Sequence, residues 1–529
     1  TLPQFNFHAD VKRANLFELN LLRKREDATI SGVLDVDFTG NDIDNLIGII
    51  EISNGTYQQA GDDLYEIDKF SLNISENENA KNLELRSGIV DADFNGKFNF
   101  RNLPTAVNNL LYKHLPSYAS GFGELKPEEG LEFDFNIDLK STELLSYLFV
   151  KDLAISDSSN FTGSYSSAQD ELFLRGRLNQ VSFKNITLDK IDIEAENPGK
   201  EFRLGVYADK VKLTDSLYLA SFELNSFTFT DSLGLIIKWD NKTEIENAAF
   251  IQGIASFPKN EEVSFHLGES MINVAGLQWT VQPDNLVQID TTAVTFSNFR
   301  FLNENQSIGL NGKIAKNPNA KLSVRLRDFN LQNFNLLTQR SGLSLGGNVS
   351  GIAQVSGLYD ELFFTNQLEI DSLVLNDVLI GTGELNNTWI PATKSVQVFG
   401  LFQRNDATSL SVVGEFLPGE DRKQNFNLKA MIDGLPLSVF NPFIDKVITD
   451  VKGVAKADLS LKGTPKQPKL AGSVILKDAN LLFTYLNTHF SISDTGEVKP
   501  DGFYFNNIEV FDEEENQGSI NGWVKHESF

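Results

Sequence analysis

The 529-residue chain contains no cysteine, which removes disulfide staples, thiolate metal sites and a cysteine nucleophile together. Histidine is nearly as scarce. His8, His114, His266, His489 and His526 are all there are, and no two of them stand at the close spacing of a metal-binding pair. Positive charge is in deficit: 46 Lys and Arg face 72 Asp and Glu, a formal net charge of −26. That balance repels phosphate backbones and excludes nucleic acid as a partner. Long apolar runs are missing too, since LLSYLFV at 144–150 is broken within a few residues, far short of the roughly 18 to 20 needed for a membrane-spanning helix. No Pro-rich or Ser/Gly-rich linker divides the chain.

What the chain has is alternation. In LEFDFNIDL, Leu131, Phe133, Phe135, Ile137 and Leu139 fall on one face of a strand, and Glu132, Asp134, Asn136 and Asp138 on the other. The same period recurs through Leu322, Val324 and Leu326; Phe426, Leu428, Ala430 and Ile432; Ala457, Leu459 and Leu461; and Leu172, Leu174 and Leu178. In FELNSFTF (222–229) and VTFSNFRF (294–301) the alternation slips midway, the mark of a β-bulge. Asn54-Gly55, Asn95-Gly96, Asn197-Pro198-Gly199, Asn311-Gly312, Asp501-Gly502 and Asn521-Gly522 read as turns. Helical spacing is confined to Pro104–Leu115, Ser141–Val150, Gln332–Gln339 and Ser438–Val447. The expectation is over half strand with little helix.

The chain also repeats itself. Gly347 and Gly357 bracket a strand as Gly453 and Gly463 do, an offset of 106 residues, and the register extends on both sides. DFNLQNFNLL (328–337) matches DGLPLSVFNPF (433–443), and Leu368, Ile370 and Leu375 fall on Val474, Leu476 and Leu481. Fainter copies start near the N-terminus and at Asp138. We divide the chain at 1–125, 126–200, 201–319, 320–425 and 426–529, the third a β-meander segment and the others repeats of one elongated structure. One-sided strands joined serially, with too few helices to cover them, must hide the apolar face by curling. The fold class expected is all-β: a long curled antiparallel sheet with an apolar interior.

Motifs of chemistry are weak. GLSLG (342–346) fits a nucleophile elbow at Ser344, but no parallel strand–helix–strand pattern surrounds it. DVDFTGNDIDNL (35–46) resembles a calcium loop whose last ligand position holds Leu46, and Asp35 and Asp37 read better as the wet face opposite Leu34, Val36 and Phe38. DEEEN (512–516) reads as a hairpin tip. Glycosylation sequons at Asn54, Asn73, Asn160 and Asn348 read as chance in so Asn- and Ser-rich a chain. No catalytic residue, cofactor or metal site is expected.

Two stretches carry a resemblance. DVKGVAKADLSLKGTPKQPKLAGSVILKDANL (450–481) and VAGLQWTVQPDNLVQIDTTAVTFSNFRFLNENQSIGLNGKI (274–314) are similar to the TamB family of AsmA-like proteins. The cues are a glycine-bounded strand followed by G-T-x-x-x-P and L-x-G-x-V/I, and a W-x-V-x-P-D-N core closing in N-x-x-S-I-x-L-x-G. The resemblance implies a periplasmic bridge in a Gram-negative bacterium, a sheet rolled into a groove that passes phospholipid acyl chains or supports outer-membrane protein assembly. It also implies an inner-membrane anchor on the N-terminal side and an outer-membrane assembly protein bound through a C-terminal part. Neither feature is in this sequence, and the opening at Thr1 and strand-like close NGWVKHESF read as an internal piece.

On that reading the groove lining comprises Phe133, Phe135, Ile137, Leu139, Val324, Leu326, Leu428, Leu459, Leu461, Val474 and Leu476. Two rival readings share the alternation: a chaperone-like scaffold for nascent outer-membrane strands, and a structural or adhesive rod with a closed core.

Overall fold

The computed structural model describes residues 2–19, 27–59, 64–77, 80–120, 130–140, 142, 150, 152–197, 199, 201–214, 217–243, 247–258, 262–274, 276–317, 319–338, 342–357, 363–419, 423–445 and 448–525. The protein is 70% strand and 6% helical, as the alternation requires. It divides into two compact units, Thr1–Gly276 and Leu277–Phe529, with 17 of the 34 described strands in each. Within each unit strands follow one another antiparallel, neighbour to neighbour. Occasionally two short strands share a long partner, as Leu153–Ile155 and Ser159–Ser166 do along Glu171–Phe183.

The 106-residue repeat is present in the backbone of the second unit. A 3-10 turn, Leu331–Phe334, leads into the helical turn Asn335–Thr338, and Leu437–Phe440 leads into Asn441–Ile444 at the same offset. Positive φ recurs in step: Asp328 with Gly434, Gly347 with Gly453, Gly357 with Gly463, and Ser372 with Asp478. Three of these pairs stand at breaks in the strand register, so each repeat bends its strands at the same heights.

In the first unit, helix α1 (Leu103–His114) and the short α2 (Pro116–Ala119) lie along one turn-bearing rim of the sheet. The Asp44 carboxylate accepts from the backbone N–H of Phe100 at 2.6 Å, and the His114 carbonyl accepts from that of Asp231 at 3.0 Å. The fourteen residue steps from Phe100 to His114, through the twelve residues of α1, advance about 21 Å, so with the hydrogen-bonded links at each end the two anchored turns stand at most roughly 34 Å apart. The ten strands from Ile47–Gln58 to Tyr218–Phe229 would span about 43 Å if flat. The rim is therefore drawn in, and the sheet of this unit curls over its apolar face.

Several expectations are corrected. Asn54-Gly55, Asn95-Gly96, Asn311-Gly312 and Asn521-Gly522 lie inside strands, not at turns. A Cβ on Gly96 would stand 2.7 Å from the Cα of Phe133, so this glycine is there for close approach between strands. Tight hairpins are instead made by Asn376-Asp377 and Asn405-Asp406, each with both residues at positive φ, the geometry of a type I′ turn. VTFSNFRF does carry a bulge, between Phe296 and Phe299, whereas FELNSFTF runs in unbroken register, from Phe222 to Phe227 on one neighbouring strand and from Glu223 to Phe229 on the other. There the polar Ser226 and Thr228 turn inward and are buried, because Thr228 meets the buried His114. Ser141–Val150 falls almost wholly outside the described residues.

Candidate functional site

Residues paired across an antiparallel ladder share a face, so the register can be followed across each sheet. In the first unit one such row runs Phe7, Val36, Ile50, Leu72, Leu85, Ala92, Ile137, Phe161, Gly176, Ile193, Val206, Leu224, Ile237, Ile251. Fourteen strands are crossed without a polar side chain. In the second unit the matching row runs Val281, Phe301, Ile308, Leu326, Gly351, Leu368, Leu385, Gly400, Val412, Ala430, Leu459, Gly472, Val498. It too is wholly apolar or glycine.

Register places each of the eleven residues named in the sequence reading on one of these apolar faces. Phe133, Phe135, Ile137 and Leu139 lie on the apolar face of the first unit, where Phe133 is 8% exposed and the other three are half-buried. Phe94 stands at the centre of an aromatic group there, with ring centroids of Phe98, Phe100, Phe133 and Phe135 at 5.7 to 6.2 Å, and α1 closes over its rim side through Ala106. In the second unit Leu326 and Leu459 share the row above. Val324, Leu428 and Leu461 share the next one, Val474 pairs with Ala457, and Leu476 with Ala455. All seven are half-buried.

That half-burial is the informative quantity. Ile308, Leu326, Leu368, Leu385, Val412, Ala430 and Leu459 sit in mid-sheet on the apolar face and still keep solvent access, which a second covering layer would abolish. Apolar surface is left open along the inside. The other face carries the charge, with exposed ion pairs such as Arg86–Asp93 at 2.6 Å, Lys140–Asp91 at 2.7 Å and Lys456–Asp433 at 2.9 Å, each worth little to stability.

Two polar features on the inner side escaped the sequence reading. At the rim, His114 is 7% exposed and its Nδ1 lies 3.0 Å from the Thr228 hydroxyl. The Ser117 N–H donates to Asp231 at 2.7 Å. Burial holds the His114 imidazole below its ordinary value, against the opposing pull of Asp170. Within the second unit's groove, the row Phe299, Leu310, Val324, Ala353, Asn366, Asn387, Val398, Gly414, Leu428, Leu461, Leu470 holds two facing asparagines. Both amide oxygens are buried without a hydrogen-bond partner, a cost of about 1 to 3 kcal/mol each. Neither feature has a local signature, since His114 and Thr228 are 114 residues apart and the asparagine pair exists only once the register is known.

Ser344 of the elbow-like segment leads directly into the strand Leu345–Ser356, its N–H donating to Asn376 at 2.8 Å. Asp42 and Asp44 of the calcium-like loop are engaged by Arg101. Among the described residues no three His, Asp or Glu side chains converge to hold a metal. No family model, no curated protein and no solved structure matches the chain.

Proposed function

We propose that the chain is a section of a TamB-like periplasmic bridge whose apolar trough carries phospholipid acyl chains between the inner and outer membranes, with no catalytic step. The observation that carries this reading is the unbroken apolar row in each unit, left half-open in mid-sheet. A diacyl lipid crossing water exposes roughly 30 methylenes at about 0.8 kcal/mol each, on the order of 20 to 25 kcal/mol. A trough that receives the chains removes most of that cost and leaves the headgroup in water. Such a track needs an apolar side chain, but no particular one, at each step. The acidic outer face discourages the protein from lying on an anionic bilayer.

The test is mass spectrometry of lipids retained by the protein purified without detergent. Co-purifying phospholipids, displaced in competition by long-chain fatty acid, are the expected result. Protein free of lipid that also fails to bind stearate would overturn the reading.

A further inference from the structure

Asn366 and Asn387 face each other across paired strands, in a row otherwise built of apolar residues and glycine. Toward one rim the next inner-face positions are Leu368 and Leu385; toward the other they are Phe364 and Trp389, themselves flanked by Val355 and Val396. The pair is thus a polar island in apolar surroundings. Asn387 is 8% exposed, and the amide oxygens of both residues lack partners. For comparison, Ser226, which turns inward in the first unit, donates to its own sheet, to the carbonyl of Leu204. The asparagines have no such internal solution.

We propose that Asn366 and Asn387 form a polar station in the groove that binds the hydroxyl group of a hydroxylated acyl chain. This rests on the reading of the groove as an acyl-chain track. The amide oxygens accept, so the ligand must donate. No carboxylate stands beside them in the row, so an ammonium donor would be buried without a counter-charge, and a neutral hydroxyl has the smaller desolvation cost. The resting oxygens are shielded, but no hydrogen bond holds them. Rotation of each amide group about its Cβ–Cγ bond turns oxygen toward the groove and meets no bonded opposition.

The purified full chain is titrated with monomeric stearate and with 12-hydroxystearate, and the ratio of the two affinities is compared between wild type and the Asn366→Leu/Asn387→Leu double variant. The double variant is expected to favour stearate, while the wild type shifts the ratio about tenfold toward the hydroxylated chain. A ratio within about twofold of wild type in the folded double variant overturns the proposal while leaving the track intact. A pair that serves only the fold, bonding amide to amide, gives that unchanged ratio together with a lowered melting temperature. If neither fatty acid binds either protein, the track reading itself fails. Should the double variant not fold, Asn387→Leu alone is expected to give about a threefold shift, and no shift overturns the station.

Discussion

Phe135 covers Gly163 across the paired strands of the first unit: a Cβ built on the glycine would stand 2.6 Å from the ring's ζ carbon and closer still to the Phe173 carbonyl oxygen. Phe161 covers Gly176 in the same manner at 2.7 Å. Inner-face glycines let neighbouring strands draw together, and a phenyl ring fills the space each leaves. That pairing accounts for part of the demand for 41 phenylalanines. Gly163→Ala is expected to cost about 1 to 3 kcal/mol, measured by denaturant unfolding. Gly88→Ala, where nothing lies within 4 Å, should be near neutral, and equal effects would refute the covering role.

One charge inside the trough should matter more than the same charge outside. Leu459 lies between Ala430 and Gly472 in the apolar row, whereas Ser460 pairs with Lys429 on the outer face. Leu459→Asp places a carboxylate in the middle of that apolar row, where an acyl chain lying in the trough would meet it at a cost of several kcal/mol, so stearate affinity should fall by about tenfold or more. Ser460→Asp gains a lysine neighbour and should bind as wild type does. Circular dichroism and thermal melts establish that both variants fold; equal affinities in folded proteins would tell against the track.

The His114 contact sets a pH dependence with a definite sign. The folded imidazole titrates below the ordinary value of 6.5, so between the two values the unfolded chain holds more protons and stability rises with pH. The contribution is complete above about 6.5 and is lost as pH drops through the folded value. His8, raised by its hydrogen bond to Asp35, contributes in the opposite direction but is solvent-exposed and screened. Hydrogen exchange over 103–119 should therefore quicken between pH 7.5 and 5 relative to the rest of the unit. In His114→Gln that differential should vanish; its persistence would assign the effect to other groups.

The repeat makes a quantitative demand. Gly347 and Gly453 sit at φ of 103° and 97°, and a Cβ on either would stand 2.5 Å from a carbonyl oxygen of the next strand, that of Ser372 or Asp478. Alanine at each should destabilise by roughly 1 to 3 kcal/mol, by similar amounts at the two sites. Unfolding midpoints that differ widely between the two variants would show that the shared backbone hides unequal supports.

How much of this was legible follows from the range of the interactions. Alternation is local, so the inner face at Phe133–Leu139 and Leu459–Leu461 can be read from period alone, and the 106-residue offset survives because it is carried by glycines with obligatory backbone roles. Asn95-Gly96 misleads because the same dipeptide serves a type I′ turn and a close strand approach, and only the partner strand decides between them. FELNSFTF misleads because the inward Ser226 and Thr228 answer to groups far away in sequence. Asn366 and Asn387 look like any other strand asparagines until the 20 residues between them are folded into register.

The complete 106-residue period in the second unit comprises six strands, from Lys321–Asn330 to Ala407–Phe416, before Phe426–Pro436 begins the next. Six is even, so the chain re-enters each repeat on the same rim, running in the same direction, with the same face inward. Duplication or excision of one period therefore lengthens or shortens the track by about 29 Å without turning a single apolar side chain outward, while loss of one strand would reverse the polarity of everything that follows. Parity is what makes the length of such a sheet a heritable variable, changed by whole periods without disturbing the face it presents.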